Sequence, residues 1–186
     1  ALVASGSQYH LQRTVLDLQG TRASARTGAV LFAHAAVLEQ QVHTAHNAAR
    51  TESAVETLVL ASGQAHAVVN AHTRIAPGAD DATVRQRLNG IPLAGEPRLV
   101  LRPHLEILHD KVQAAHGATW GALPEDALFY ARQRGLDETS ARALIIEGMA
   151  TALLERCFDD PDTLATLMAD GLLARTIAQQ LEAHHG

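Results

Sequence analysis

Along roughly the first two thirds of the chain, short apolar runs alternate with small polar clusters, and no stretch holds a helical period for long. Val15–Leu18, Ala29–Phe32, Thr57–Leu60, Ala67–Val69, Arg98–Leu101 and His104–Leu108 are Leu-rich or β-branched, with Gly, Asn, Ser, Asp and Pro clusters between them. That pattern predicts short strands. Ala-rich runs such as Ala45–Ala49 would suit a helix better. Many short strands at intervals of about ten residues fit a sandwich, a barrel or a β-helix. Small residues suit the stacked interior of a β-helix, whereas sandwiches usually carry more than the 3% of aromatic residues found here. We therefore favour the β-helix, although no exact repeat is legible.

Beyond residue 121 the pattern changes to helical. Pro124 suits a first turn, and Glu125 and Asp126 follow it at the favourable end of the helix dipole. Gly135 closes this helix after Arg132 and Arg134. Asp137 is a candidate N-cap for a second helix, with Leu144, Ile145, Met149, Ala152 and Leu153 as its apolar face. Asp160-Pro161 starts a third, with Leu164, Leu167, Met168, Ile177 and Leu181 apolar and Gly171 marking a break. Helices this few cannot form a core of their own, so they should pack on the β part or on a partner. The division expected is a β portion over 1–121 and a helical portion over 122–186.

Charge sharpens the division. Residues 1–115 hold 10 basic and 9 acidic groups, net +1; residues 116–186 hold 5 and 11, net −6. The overall −5 argues against a nucleic-acid surface. No apolar run reaches the ~20 residues of a membrane span. A chain of 186 residues buries enough surface to fold without disulfides. Its single Cys157 can neither pair internally nor supply a thiolate metal site alone, which fits a reducing, cytoplasmic location. Because the chain opens on Ala1 in mid-pattern, we expect a fragment of a longer protein, with exposed strand edges that favour self-association as a homodimer when isolated.

The 11 histidines show no metal-binding spacing. His43 and His46, three apart on a strand, point to opposite faces. His66 and His72 have no flanking acidic or Cys ligand, and His104 and His109 sit on a strand and its end without a partner cluster. His184 and His185 fall in a terminal tail, where we expect them solvated. From the residues alone, Phe129-Tyr130 suits helix packing, and Cys157 a small buried hydrophobe. The segment His116-Gly117-Ala118-Thr119-Trp120-Gly121, bracketed by glycines between the last strand and the first helix, is expected to be a hinge, with a functional loop as the alternative.

Several of these motifs have a family likeness. Pro103-x-Leu105-Glu106-Ile107, Val112, His116-Gly117-Ala118-Thr119 and Glu125-Asp126-x-Leu128-Phe129-Tyr130-x-x-x-Arg134-Gly135-Leu136 together resemble the C-terminal part of D-type members of the SufB/SufD family, which takes part in iron–sulfur cluster assembly. The resemblance implies a mainly β fold, a right-handed parallel β-helix followed by a small C-terminal α-helical domain. It implies a non-catalytic scaffold subunit with no intrinsic cofactor, pairing with a SufB-like subunit and docking the ATPase SufC. It places His116 at the interface where a transient cluster is built, as a ligand for iron, and the SufC-docking region around Leu128, Phe129, Tyr130, Arg134 and Gly135. Ala114 stands where relatives often carry Cys, and Gly117 where B-type members have Glu, so the D-type is favoured over a cluster-carrying B-type scaffold. The remaining alternative, a β-helix enzyme acting on polysaccharide, would carry clustered carboxylates and aromatic platforms. The strand half offers only scattered acids besides Asp80-Asp81, and the one Trp is Trp120.

Overall fold

The structure, a computed structural model, describes residues 2–5, 8–158, 160–169 and 171–182. The side chain of Leu167, and all of His184 and His185, lie outside that set. Among the described residues nine strands come first: β1 Leu2–Ser5, β2 Tyr9–Leu18, β3 Ser24–His34, β4 Val37–His46, β5 Glu52–Gly63, β6 His66–Ile75, β7 Ala82–Gly95, β8 Arg98–Ile107 and β9 Val112–Trp120. Four helices follow: α1 Glu125–Gln133, α2 Glu138–Cys157, α3 Pro161–Ala169 and α4 Leu172–Glu182.

Successive strands alternate between two parallel sheets, β1-β3-β5-β7-β9 and β2-β4-β6-β8, so the chain winds into a parallel β-solenoid of about four turns. This is the β-helix that the small interior residues favoured. Hydrogen bonds between side chains on neighbouring turns join residues 28 to 31 apart, as in His34–Ser62 and Arg87–Glu56. The repeat is therefore one of geometry, with no repeated sequence.

Among the described residues three buried apolar clusters form, a small one around Ile75, Ala79, Ala82 and Val84 and two larger ones, one on each face of the five-stranded sheet. Inside the solenoid, Leu31, Val55, Val59 and Leu88 meet Leu38, Val42, Ala67, Val69 and Ala71 from the opposite sheet. Outside it, Val30, Phe32, Leu58 and Leu60 pack beneath Ile146, Ala150, Leu153 and Leu154 of α2 and Leu173, Ile177 and Leu181 of α4. Burial on both faces explains why Ala29–Ala33 and Leu58–Ala61 read as continuous apolar runs. The helices rest on the β portion as expected. Cys157, at the last position of α2, lies directly over Gly28, where an added Cβ would overlap its Sγ.

Local signals match the structure well at the helix ends. Asp137 caps α2 by accepting from the Ser140 amide at 2.8 Å, Asp160 accepts from the amides of Asp162 and Thr163 at 3.2 Å each, and Gly135 closes α1 at φ +88. Gly171 separates α3 from α4 at φ +65. Four points differ. The strands are long, most of 9 to 14 residues. Arg98–Leu101 and His104–Ile107 are one strand, continuous through Pro103, which an edge strand tolerates because one side of its backbone needs no donor. His116–Trp120 is no hinge but the end of β9. On α2 the buried stripe runs through Ala141, Ile146, Ala150, Leu153 and Leu154, leaving Leu144 exposed on the other side.

One histidine is sealed inside. His46 is fully buried at the end of β4, with Nδ1 2.8 Å from Thr51 Oγ1 and Nε2 2.8 Å from Ser53 Oγ. The Thr51 hydroxyl donates to Ala48 O at 3.0 Å, so Thr51 accepts from Nδ1–H, and Nε2 accepts from Ser53. The ring is neutral, and burial pushes its pKa below the ordinary value.

Two predictions follow from these cores. Phe32→Ala, which removes a ring that is 1% exposed between sheet and helices, lowers stability by about 3–5 kcal/mol by chemical denaturation. Because the native state resists protonation of His46, stability is full above the unfolded-state pKa of about 6.5 and falls as pH drops from there through the depressed native value. Urea midpoints between pH 8 and pH 5 measure that loss, and His46→Gln shallows the slope.

Candidate functional site

The stack stops at its last turn. Among the described residues β8 pairs only with β6, and β9 only with β7, so each presents an unpaired edge. The inward-facing positions of this turn have no further layer above them. On β8, Leu99, Leu101 and Leu105 stand in register with buried Ala67, Val69 and Thr73 but are themselves only half-buried. On β9, Ala114, His116, Ala118 and Trp120 continue the column positions of Val84, Gln86, Leu88 and Gly90, and all four are exposed, Trp120 to 77%.

His116 thus sits above Gln86. That glutamine is 3% exposed, and its Nε2 donates to Ala71 O at 3.2 Å, Thr73 Oγ1 at 2.8 Å and His104 O at 3.2 Å. Two carbonyl acceptors fix which end of the amide is nitrogen, and Oε1 is left buried without a partner. The Gln86 side chain ties β7 to β6 and β8 and closes the interior beneath His116. Among the described residues, no three His, Cys, Asp or Glu side chains gather to hold a metal. Iron held at His116 would draw ligands from another molecule.

On the outer side of the same strands, β7, β9 and the end of α2 enclose an open cleft of about 500 Å³ bordered by His116. Glu56, its side chain 14% exposed, accepts from Arg156 Nε at 3.2 and 3.0 Å and from Nη2 at 2.7 Å, with Arg87 Nη1 at 3.5 Å. The Glu56 hydrogen bonds raise the Arg156 pKa. This fork holds the last turn of α2 onto β5. Thr119 donates to Asn89 Oδ1 at 2.6 Å beside it.

The α1 residues form a different surface, and none of them lines this cleft. Leu128 packs against the helical core, whereas Phe129 and Tyr130 are exposed to 64% and 61%, contrary to the helix packing expected from the residues alone. Arg134 stacks on the Tyr130 ring, 3.5 Å from its centroid, and contacts the Tyr130 hydroxyl. Gly135 supplies the left-handed turn next to them.

The four-stranded sheet holds a feature the sequence did not reveal. His43, His72 and His104 are in register on β4, β6 and β8, with ring centroids 5.7 and 4.9 Å apart. Burial pushes the His72 pKa down, His104 and His43 add to this, and Glu106, 3.8 Å from Nε2, opposes it. His46 points to the face opposite His43, as the spacing predicted. His109 is likewise partnered, by Asp80. A search at the coil period of about 30 residues, rather than within single runs, would have aligned the three imidazoles, as well as Gln86 with His116.

The sequence model of the SUF system FeS cluster assembly, SufBD core domain, matches residues 1–149. The chain belongs to this family. The match runs past β9 through α1 and into α2. A SufBD family protein of Synechocystis sp. is 37% identical over 83 residues, 44% of this chain and 18% of that protein. SufD of Escherichia coli is 30% identical over 101 residues, 54% of this chain and 24% of its own. SufD of Plasmodium berghei is 29% identical over 122 residues, 65% and 9%. The chain therefore spans less than a quarter of the length of these curated relatives. The likeness to the SufD branch expected from the motifs holds. Among the described residues, no helix is long and apolar enough to cross a membrane.

The Glu56 fork gives a direct test of how α2 is held. Glu56→Ala removes the acceptor of Arg156 and should cost about 1–2 kcal/mol, discounted for the exposure of Arg156. Amide hydrogen exchange in the last turn of α2 should speed up while the interior strands stay protected.

Proposed function

We propose that this protein is a SufD-like scaffold subunit in cluster assembly, without catalytic activity or resident cofactor of its own. Its uncovered final turn receives a SufB-like subunit. The observation that carries this reading is the end of the solenoid itself, where two free strand edges, exposed Ala114, Ala118 and Trp120, and the His116 imidazole share one surface. Strand pairing across those edges would satisfy the open backbone groups, and burial of the apolar turn would supply affinity.

In that complex His116 presents a ring nitrogen to iron, with the other ligands supplied by the partner; imidazole suits iron beside thiolates. Ala114, two residues before it, adds no ligand. The second partner, a SufC-like ATPase, docks on α1 and α2, where Phe129, Tyr130, Leu136 and Leu144 are exposed. Aromatic and Leu anchors of this kind, with Glu125, Asp126 and Glu138 exposed on the same helices, suit an interface with a basic partner rim. The setting is cytoplasmic. In the absence of a SufB-like subunit, the same end pairs two copies of this chain.

The test combines cluster yield with the single tryptophan. His116→Ala should keep wild-type stability and partner binding, because the side chain is exposed, but should lower cluster formation with the SufB-like and SufC-like subunits, followed by visible absorption under anaerobic iron and sulfide loading. Wild-type yield from this variant would sink the ligand role. In the isolated chain, association through the β8/β9 end moves Trp120 emission to shorter wavelength as concentration rises. Association by sedimentation with unchanged emission would place the contact elsewhere.

A further inference from the structure

We propose that the cleft between α2 and strands β7 and β9 binds the phosphate group of a small, polar phosphorylated molecule, in a site that shares the His116 border with the solenoid end. Its lining sets three guanidinium groups, Arg85, Arg87 and Arg156, against the single carboxylate of Glu56. Arg156 and Glu56 neutralise one another in the fork that holds α2. Arg87 approaches Glu56 only loosely, at 3.5 Å. Arg85 is exposed and makes no ion pair among the described residues. Fold stability thus accounts for Arg156 but leaves the charge on Arg85, and most of that on Arg87, uncompensated.

The backbone gives these two side chains a free field. Arg85 and Arg87 are in register with Ala115 and Gly117 on β9, and a Cβ added at Gly117 would meet nothing within 4 Å. The outer face of β9 is therefore a low floor beside the two guanidinium groups. Arg85 also borders an adjoining depression of about 190 Å³ shared with Arg26 and Glu52, so the ionic surface extends beyond one wall. In a chain of net charge −5 this local positive field would attract anions selectively.

The chemistry narrows the ligand. Guanidinium forks match phosphate oxygens, and a doubly charged phosphate uses two such groups better than a single carboxylate does. At about 500 Å³ the cleft is far larger than free phosphate, so the group is carried on a larger molecule. The ring in the described lining is the His116 imidazole, and Asn89 and Thr119 offer amide and hydroxyl groups. Amide and hydroxyl groups match the hydroxyls of a sugar phosphate, which is the ligand class tested.

The test is a nuclear magnetic resonance titration of the intact chain at constant ionic strength, following the arginine Nε–Hε signals. Ribose 5-phosphate should shift Arg85 and Arg87 saturably, with Kd on the order of 1 mM for so open a site. Inorganic phosphate should bind more weakly at the same residues, and citrate should bind no better than inorganic phosphate. The double variant Arg85→Gln/Arg87→Gln, which changes two exposed side chains, should weaken binding about tenfold or more, whereas Arg13→Gln/Arg102→Gln on the other sheet should not. Tighter binding of citrate than of ribose 5-phosphate would overturn the phosphate assignment. Shifts that never saturate, or that persist undiminished in the Arg85/Arg87 variant, would overturn the site.

Discussion

Leu31 and Phe32 are neighbours in sequence yet belong to different cores. One points into the solenoid and the other out beneath α2, and the same alternation recurs at Val59 and Leu60 on the next turn. This two-sided burial of the five-stranded sheet is the constraint on which the rest depends. A sheet buried on only one face could have shed its helices without loss. Here the helices finish the sheet, and the sheet is the floor on which α2 buries its apolar stripe, with α4 packed against α2 in the same core. Residue 121 is thus where strand gives way to helix, while the packing runs across it.

The same constraint explains how the molecule divides its surfaces. The five-stranded sheet gives its outer face to the helices, and the four-stranded sheet keeps a mixed, half-exposed outer face that includes the histidine ladder. The last turn is left with interior-type residues and no interior. His116 occupies what would be a core position if another turn followed. Its exposure comes from where the stack stops.

How much of this was legible depended on the range of the interaction. Helix starts and stops at Asp137, Asp160 and Gly135 were readable because a cap and its partner lie within four residues. The preference for a β-helix over a sandwich was readable because it rests on composition. Strand lengths were not, since Pro103 looks like a break until its strand is seen to lie at an edge. The glycines around His116 suggested a hinge, whereas parallel pairing with β7 extends β9 through Gly117. The ladder of His43, His72 and His104, and the bond from Arg156 to Glu56 across 100 residues, depend on register and docking that no local pattern encodes. Recognition of the family came from motifs, and it singled out His116 as an expectation without its geometry.

Cys157 bears on the chemistry in one more way. Its thiol is wedged over Gly28 at the end of α2, and burial, with Glu56 adding to it, raises its pKa. A thiol held protonated is a poor nucleophile and a poor ligand. The one cysteine of this sequence is thereby withdrawn from thiolate chemistry, so under the proposed function a metal offered to the solenoid end would meet the His116 imidazole with no competing thiolate among the described residues.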